Sequence, residues 1–372
     1  MRILLTGAGG FLGWHTRVRL RALTGHDVMP VTRENWARLP ELVAGVDAIL
    51  HVAGVNRAAP EEVEGSNRGL AEDLASALRA TGPRLAVVVY ANSIQSGNDT
   101  AYGAGKAAAA RILAAAAANS NARFADVRLP NLFGEHGRPH YNSFVQTFAH
   151  GVVGGDNLQV QDRPVTLLHV QDAAQVLIEA LTRGSGLIEP AGTRTTVAEV
   201  LDTLRTFNAL YASGDIPPLR RPLDVDLFNT LRAARFPGHY PIGLTVRADQ
   251  RGRLVETVRA HGGRGQTFVS TTEPGYTRGE HFHLRKIERF VVLSGQARIS
   301  LRRLFSTEVV SFAVNGLEPC IVDMPTLWAH NITNIADHQL TTLFWTHELF
   351  DADRPDTYPE PVVEAMLTGV GG

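Results

Sequence analysis

The sequence holds one cysteine, Cys320, in 372 residues. An internal disulfide framework is therefore excluded, and a reducing, cytoplasmic setting is expected. Charge of one sign is lacking as well: 36 Lys and Arg against 37 Asp and Glu give a formal net charge of -1. No global field would draw nucleic acid or an anionic membrane. Long apolar runs are also missing. The opening Met-Arg-Ile-Leu-Leu-Thr stretch breaks into glycines, too short for a secretory core. The alanine-rich run Ala107 to Ala118 is interrupted by Arg111, so no membrane span is predicted. The remaining composition, 44% apolar and 20% charged, is ordinary for a globular chain long enough for two cores.

The first third alternates two rhythms. "RILLTG", "HDVMPVT", "DAILHVAG" and "RLAVVVYA" read as near-continuous apolar strands, the pattern of a sheet covered on both faces. Between them lie helical stretches, "FLGWHTRVRLRALTG", "LAEDLASALRATG" and the alanine-rich run after Tyr102. The alternation predicts an α/β Rossmann-type, doubly wound parallel sheet. In "TGAGGFLG", Gly7, Gly10 and Gly13 follow G-x-x-G-x-x-G between strand and helix. Without side chains they admit a pyrophosphate close to the backbone, and the helix presents free N–H groups to it. Nucleotide binding is predicted there, with Phe11 and Leu12 in the same loop. The second strand ends in Thr32-Arg33, not in an acidic residue. A carboxylate would hold a ribose 2'-hydroxyl; Arg33 favours a 2'-phosphate, hence NADP(H), the bland alternative being a solvated loop arginine.

"YGAGK" sets Tyr102 and Lys106 four apart, on one helix face. A phenol with a free pKa of about 10 is a poor acid-base group at neutral pH; a close ammonium, helped by an oxidised nicotinamide, favours its phenolate. Ser93 in "YANSIQS" is placed to hydrogen-bond a substrate carbonyl. Following a glycine loop and an apolar fourth strand, this set resembles the extended short-chain dehydrogenase/reductase family, whose usual substrates are nucleotide-activated sugars. "DAILHVAG", Asn67, "RLPNLFG" and "HVQDAA" match its further landmarks in order. The resemblance implies Asp47 near the adenine, Ala53 and Gly54 along the cofactor, and Pro130 and Asn131 near nicotinamide and substrate. The gap from Ser93 to Tyr102 is shorter than most of that family shows, which keeps Ser96 as a rival serine.

A threonine-started helix, "TTVAEVLDTLRTF", precedes "GDIPPLRRP" and "FPGHYPIG", with the helical "LDVDLFNTLRAA" between them. A boundary near Pro241 to Thr245 is expected, giving domains 1–243 and 244–372. The period then falls to two. "GRLVETVRA", "GQTFVSTT", "ERFVVLSG", "QARISLRR", "EVVSFAV", "CIVDMP" and "HQLTTLFW" predict a small antiparallel barrel or jelly roll.

In "RGEHFHLRKIER", a spacing of two sends His281 and His283 to one strand face, where Glu288 can join them. His330 in "PTLWAHNITN" is a fourth candidate. Three imidazoles and a carboxylate suit Zn, Fe, Mn or Ni, with geometry deciding among them. Gly275 to Gly295 resembles the first cupin motif, and "PTLWAHNITN" resembles the second, except that Leu327 stands where that motif has glycine, which puts the turn in question. The combination, ending in "LFWTHELFDADRPDTYPEPV", resembles the bifunctional capsular polysaccharide enzymes of the UDP-N-acetyl-L-fucosamine pathway, in which an extended short-chain reductase is fused to a C-terminal cupin barrel. That resemblance implies a UDP-sugar substrate, a divalent metal with Zn the first choice, and a homodimer. It further implies C3 epimerisation in the cupin domain, then NADPH-dependent reduction of the C4 ketone. His338, Lys286 and Tyr276 are candidates for the epimerase base, and the metal either takes part or braces the barrel.

Overall fold

A computed structural model describes residues 1–82 and 85–363. The chain divides into two compact units, Met1–Thr147 with Gln161–Val197, and Phe148–Val160 with Ala198–Gly372.

In the first unit the strands are β1 (Arg2–Thr6), β2 (Asp27–Val31), β3 (Ala48–His51), β4 (Val87–Ser93), β5 (Arg123–Leu129), β6 (Asn131–Phe133), β7 (Pro164–His169), β8 (Gly186–Ile188) and β9 (Thr193–Thr196). The helices are α1 (Phe11–Leu23), α2 (Leu39–Val43), α3 (Pro60–Thr81), α4 (Ala101–Asn119), α5 (Phe144–Gly154), which runs on into the second unit, and α6 (Val170–Arg183). Six strands form a parallel sheet in the order β2-β1-β3-β4-β5-β8, and β6, β7 and β9 make a small side sheet. The continuous apolar runs are split between two cores by the period of two. Leu4, Ile49, Val88 and Tyr90 pack with Leu74 and Leu78 of α3 and Leu113 of α4. Ile3, Leu5, Leu50 and Val89 point the other way, against Leu20 of α1 and Leu177 of α6. The alanine and glycine richness of α4 has a packing reason: a Cβ on Gly105 would come within 3.0 Å of the Glu64 Cα, so α3 and α4 run in close contact. The order around β1 and β3 reverses direction, so the carboxyl ends of β1, β3 and β4 form the crevice where such sheets bind ligands.

The second unit contains α7 (Val197–Tyr211), α8 (Pro222–Arg235) and β10 (Ile242–Gly243), β11 (Val246–Asp249), β12 (Gly252–Val255), β13 (Gln266–Thr272), β14 (Thr277–Phe282), β15 (Glu288–Ser294), β16 (Gln296–Arg303), β17 (Val309–Asn315), β18 (Cys320–Met324), β19 (Trp328–Asn334), β20 (Leu340–Thr346) and β21 (Tyr358–Pro359). Thr195 and Thr196, expected to start α7, instead pair with Val165 and Pro164 at the end of β9. Two antiparallel five-stranded sheets, β10-β18-β15-β20-β13 and β17-β16-β19-β14-β21, share one core. Phe290, Val322 and Phe344 come from the first sheet, Ile299, Val314 and Ile332 from the second. The predicted strand "GRLVETVRA" ends at Val255. Beyond it Arg259 and His261 are held by Asp215 Oδ2 at 2.6 and 2.7 Å, and Ala260 bridges Ile216. Among the described residues, no helix is long and apolar enough to cross a membrane.

Candidate functional site

The glycine turn follows directly from β1. Gly7 has a φ of +68°, and a Cβ there would lie 2.7 Å from the Ala53 nitrogen. The turn closes with the Gly10 N–H donating to the Gly7 carbonyl at 2.9 Å, and a Cβ on Gly13 would sit 2.1 Å from that oxygen. Only glycine allows this approach of turn, β3 end and helix. Phe11 and Leu12 occupy the first turn of α1. Buried Thr6 fixes the neighbouring strand end: its hydroxyl accepts from the Val52 and Ala53 amides at 3.2 and 3.3 Å and bonds His51 Nδ1 at 2.9 Å. Arg33 is exposed just past β2, next to Thr32, whose methyl lies 3.7 Å from the position of a Cβ on Gly9.

Asp47 is not brought to this edge. Its carboxylate accepts the Arg2 amide at 2.7 Å, at the amino ends of the parallel strands β1 and β3. The expectation of an adenine contact is corrected: a carboxylate one residue before a strand caps the sheet at the edge opposite the crevice. Gly54 does belong to the crevice. A Cβ on it would be 3.1 Å from Asn67 Oδ1 and 4.0 Å from Lys106 Nζ. Asn67, buried on α3, clamps this loop through the Val55 N–H and C=O at 3.2 and 2.7 Å.

Thr100 caps α4 by accepting the Gly103 N–H at 3.0 Å, which sets Tyr102 and Lys106 on the helix's first turns. The Ser93 hydroxyl lies close enough to the Tyr102 phenol to favour its ionised form, and it accepts from the Gln95 amide at 3.2 Å. Ser96 is engaged differently, its hydroxyl accepting from Asn92 Nδ2 at 3.2 Å. Lys106 is buried, donates to the Ala91 carbonyl at 2.7 Å and stands 4.2 Å over the Tyr90 ring. Burial lowers its pKa to about 7, with Asp126 pulling the other way. Burial raises the Tyr102 phenol above its ordinary value, and the Ser93 hydroxyl opposes that. Tyr90 and Asp126 were not singled out from the sequence; nothing in an apolar strand pattern marks them as neighbours of Lys106.

Pro130 and Asn131 follow β5, where the Ile94 amide donates to the Leu129 carbonyl at 3.1 Å, so both lie beside the Ser93 strand end. Asn131 is exposed and donates to the Thr166 carbonyl at 3.2 Å. Beneath them is a buried chain that the sequence reading did not foresee. His169 Nε2 and Glu135 Oε2 are 3.0 Å apart, and His15 links the Glu135 carbonyl at 2.9 Å to Gln171 at 2.7 Å.

In the second unit His281, His283, Glu288 and His330 converge, their ligand atoms all lying within 4.8 Å of one another. Glu288 Oε2 faces the three Nε2 atoms at 3.9, 3.1 and 3.3 Å, from His281, His283 and His330 respectively. His281 and His330 are direct cross-strand partners after a bulge between Gly279 and His281. Such a bulge re-aims the following side chain. Burial alone would raise the Glu288 carboxyl; the three imidazoles that face it hold it well below its ordinary value. His330 is lowered to about 4 by burial and so offers a neutral nitrogen. Leu327 takes a φ of +67°, the conformation natural to the glycine it replaces, so the turn in question is preserved. Its N–H donates to the His283 carbonyl at 2.8 Å, and its side chain is fully buried. Of the candidate bases, Tyr276 is 70% exposed and His338 also lies at the surface. Both adjoin Asn334, at the end of β19 away from His330. Lys286 is nearer the cluster, but its ammonium is held by the Pro355 carbonyl and Thr357 Oγ1.

Residues 3–190 match the NAD dependent epimerase/dehydratase family, and residues 247–358 match the polysaccharide biosynthesis C-terminal domain. A UDP-2-acetamido-2,6-beta-L-arabino-hexul-4-ose reductase of Pseudomonas aeruginosa is 32% identical over 366 residues, covering 96% of this chain and 98% of the relative. The crystal structure of the capsular polysaccharide assembling protein CapF from Staphylococcus aureus aligns over 97% of this chain and 100% of its own, with 28% identity and a TM-score of 0.60. A UDP-glucose 4-epimerase from Thermotoga maritima, at 15% identity and a TM-score of 0.54 over 63% of this chain and 99% of its own, shares the fold. A glycine turn, a Ser-Tyr-Lys set and a family match over residues 3–190 agree, and the chain belongs to the NAD dependent epimerase/dehydratase family of nicotinamide-dependent enzymes.

Proposed function

We propose that the chain is a two-step nucleotide-sugar enzyme. Residues 1–243 reduce a C4 ketone with NADPH, and residues 244–372, a cupin-type jelly roll, first invert C3 of the same UDP-linked 4-keto-6-deoxy-HexNAc. The product is UDP-2-acetamido-2,6-dideoxy-L-talose, made in the cytoplasm by a homodimer for surface polysaccharide synthesis. The observation that carries the reductase reading is the grouping of Ser93, at the end of β4, with Tyr102 and buried Lys106 on the first turns of α4. The P. aeruginosa relative, whose name describes a 4-ulose reductase, supports the substrate class.

The glycine turn from Gly7 to Gly13 would hold NADPH with Arg33 at its 2'-phosphate, and the bound cofactor would supply the hydride for C4. Ser93 hydrogen-bonds the substrate ketone oxygen. Tyr102, kept protonated by its burial, gives its proton to that oxygen as the alcohol forms, a positioned general acid. Asn131 and Pro130 line the substrate side, and Gly54 leaves room for the ribose next to Lys106. Ser93 fills the serine role; Ser96 is already engaged by Asn92. In the second unit a divalent ion, Zn the first choice, fits His281, His283, Glu288 and His330 and would supply charge stabilisation for an enolate or brace the barrel. The order of the steps follows from the chemistry. C3 carries an acidic proton only while C4 is a ketone, so inversion precedes reduction.

The test is product analysis by NMR on the full chain. With a UDP-4-keto sugar in D2O and no NADPH, deuterium should enter C3; its absence removes the epimerase half. With NADPH added, reduction should follow, and Tyr102→Phe should lower its rate by about 10²–10⁴-fold. Undiminished reduction by that variant would remove Tyr102 from the chemistry.

A further inference from the structure

The segment following β20 contains a residue with an unusual set of partners. Asp356, far along the chain from the four-ligand cluster, accepts three successive backbone amides with one carboxylate. Leu284 N–H donates to Oδ1 at 2.9 Å, and Arg285 and Lys286 N–H donate to Oδ2 at 2.9 and 2.7 Å. These three residues form the turn between His283 and Glu288. The carbonyl of Asp356 takes a fourth bond, from His283 Nδ1 at 2.6 Å. With Nδ1 carrying the proton, Nε2 is left as the lone-pair nitrogen, and it faces Glu288. Asp356 is itself held from both sides. Lys286 reaches back to Pro355 and Thr357, and β21 pairs with His281 and Phe282. Farther on, the Glu360 amide donates to the Glu280 carbonyl at 2.9 Å, while its carboxylate accepts from buried Arg302 at 2.9 Å.

We propose that Asp356 is the positioning residue of the His281–His283–Glu288–His330 site: its carbonyl sets the ring and tautomer of His283, and its carboxylate locks the 284–286 turn that spaces His283 from Glu288. This rests on the reading of the four residues as a metal site. Outer partners of this kind orient ligands, and their removal typically costs about 10–100-fold in metal affinity. Asp356 has a φ of +42°, which asparagine and glycine tolerate. Asp356→Asn therefore keeps the backbone and removes the charge, and Asp356→Gly keeps the backbone and removes all three amide bonds.

The experiment uses the full chain with Zn2+ and Co2+ as probes. Zn2+ affinity, measured by chelator competition, should fall by about 10–100-fold in Asp356→Gly and by less in Asp356→Asn. The Co2+ absorption spectrum should change most in Asp356→Gly and less in Asp356→Asn, because the loosened 284–286 turn lets His283 shift against the Asp356 carbonyl that both variants retain, a change that general loss of stability would not produce. In the metal-free protein, amide exchange at residues 284–286 should accelerate. If the native chain takes up neither ion, the metal reading fails. If the native chain binds and both variants match it within about twofold, with an unaltered Co2+ spectrum, the role of Asp356 is overturned. Should Asp356→Gly not fold, the same comparison on Asp356→Asn decides.

Discussion

Arg289 on β15 and Asp323 on β18 meet fork to fork without solvent exposure, Nε to Oδ1 at 2.8 Å and Nη2 to Oδ2 at 3.0 Å. Tyr211 of α7 donates its hydroxyl to Asp323 Oδ2 at 2.5 Å and lies 2.6 Å from the Tyr240 hydroxyl. Burial would raise the Asp323 carboxyl, but the Arg289 guanidinium holds it below its ordinary value. Removing one partner of such a pair leaves an uncompensated buried charge. Asp323→Ala should therefore destabilise the second unit by about 3–5 kcal/mol, whereas replacing both ions with Met should cost far less. Urea unfolding of the variants checks this. A loss below about 1 kcal/mol, the range of a surface pair, would show that water reaches Arg289.

Much of the site was legible because spacing encodes it. Gly7, Gly10 and Gly13 between strand and helix, Tyr102 four ahead of Lys106, and His281 two ahead of His283 each pin side chains to one turn or one face. Arg289 and Asp323 were not legible. Charged residues on alternating strands carry no sign of the partners that meet them in the interior, the Tyr211 hydroxyl at Asp323 and the Thr257 carbonyl at Arg289. Asp356 was invisible for another reason: it acts partly through its carbonyl, and it stands 73 positions from His283. Asp47 was misplaced because a carboxylate beside a strand carries no sign of which sheet edge it caps. The start of α3 at Pro60 was missed because the polar "PEEVEGSNRG" lacks an apolar stripe.

Lys106 makes the stability of the cofactor-free chain depend on pH in a defined direction. Its folded pKa is lowered to about 7, against an unfolded value of about 10.4. Between these values the unfolded chain holds the extra proton, so stability rises as pH rises through this window and is lowest below it. Lys106→Met should flatten that rise. Thermal unfolding across about pH 7–10 is the measurement, and an unchanged slope in the variant would exclude Lys106 as its source.

Arg33 predicts cofactor choice. A guanidinium–phosphate bond is worth about 1.5–3 kcal/mol, roughly 10–100-fold in affinity. Arg33→Ser should weaken NADPH by that factor and leave NADH binding nearly unchanged, as read by titration of nicotinamide fluorescence. Equal weakening of both cofactors would mean that the side chain supports the Thr32–Asn35 turn, where the Thr32 N–H meets Asn35 Oδ1 at 2.7 Å, and does not contact phosphate.

Leu327 sets two physical terms against each other at a single residue. Its φ of +67° disfavours any residue with a Cβ by about 1–2 kcal/mol, while its fully buried side chain contributes about 2–5 kcal/mol of packing. The second term is the larger, so leucine can hold a turn that glycine would hold without strain. Both Leu327→Ala and Leu327→Gly should destabilise. Their order, however, should be the reverse of the usual one. Alanine retains the left-handed strain and recovers almost none of the packing, so glycine should be the milder change by about 1 kcal/mol. Denaturation midpoints of the two variants provide the comparison. If alanine proves the more stable, Leu327 is unstrained and burial alone accounts for the turn.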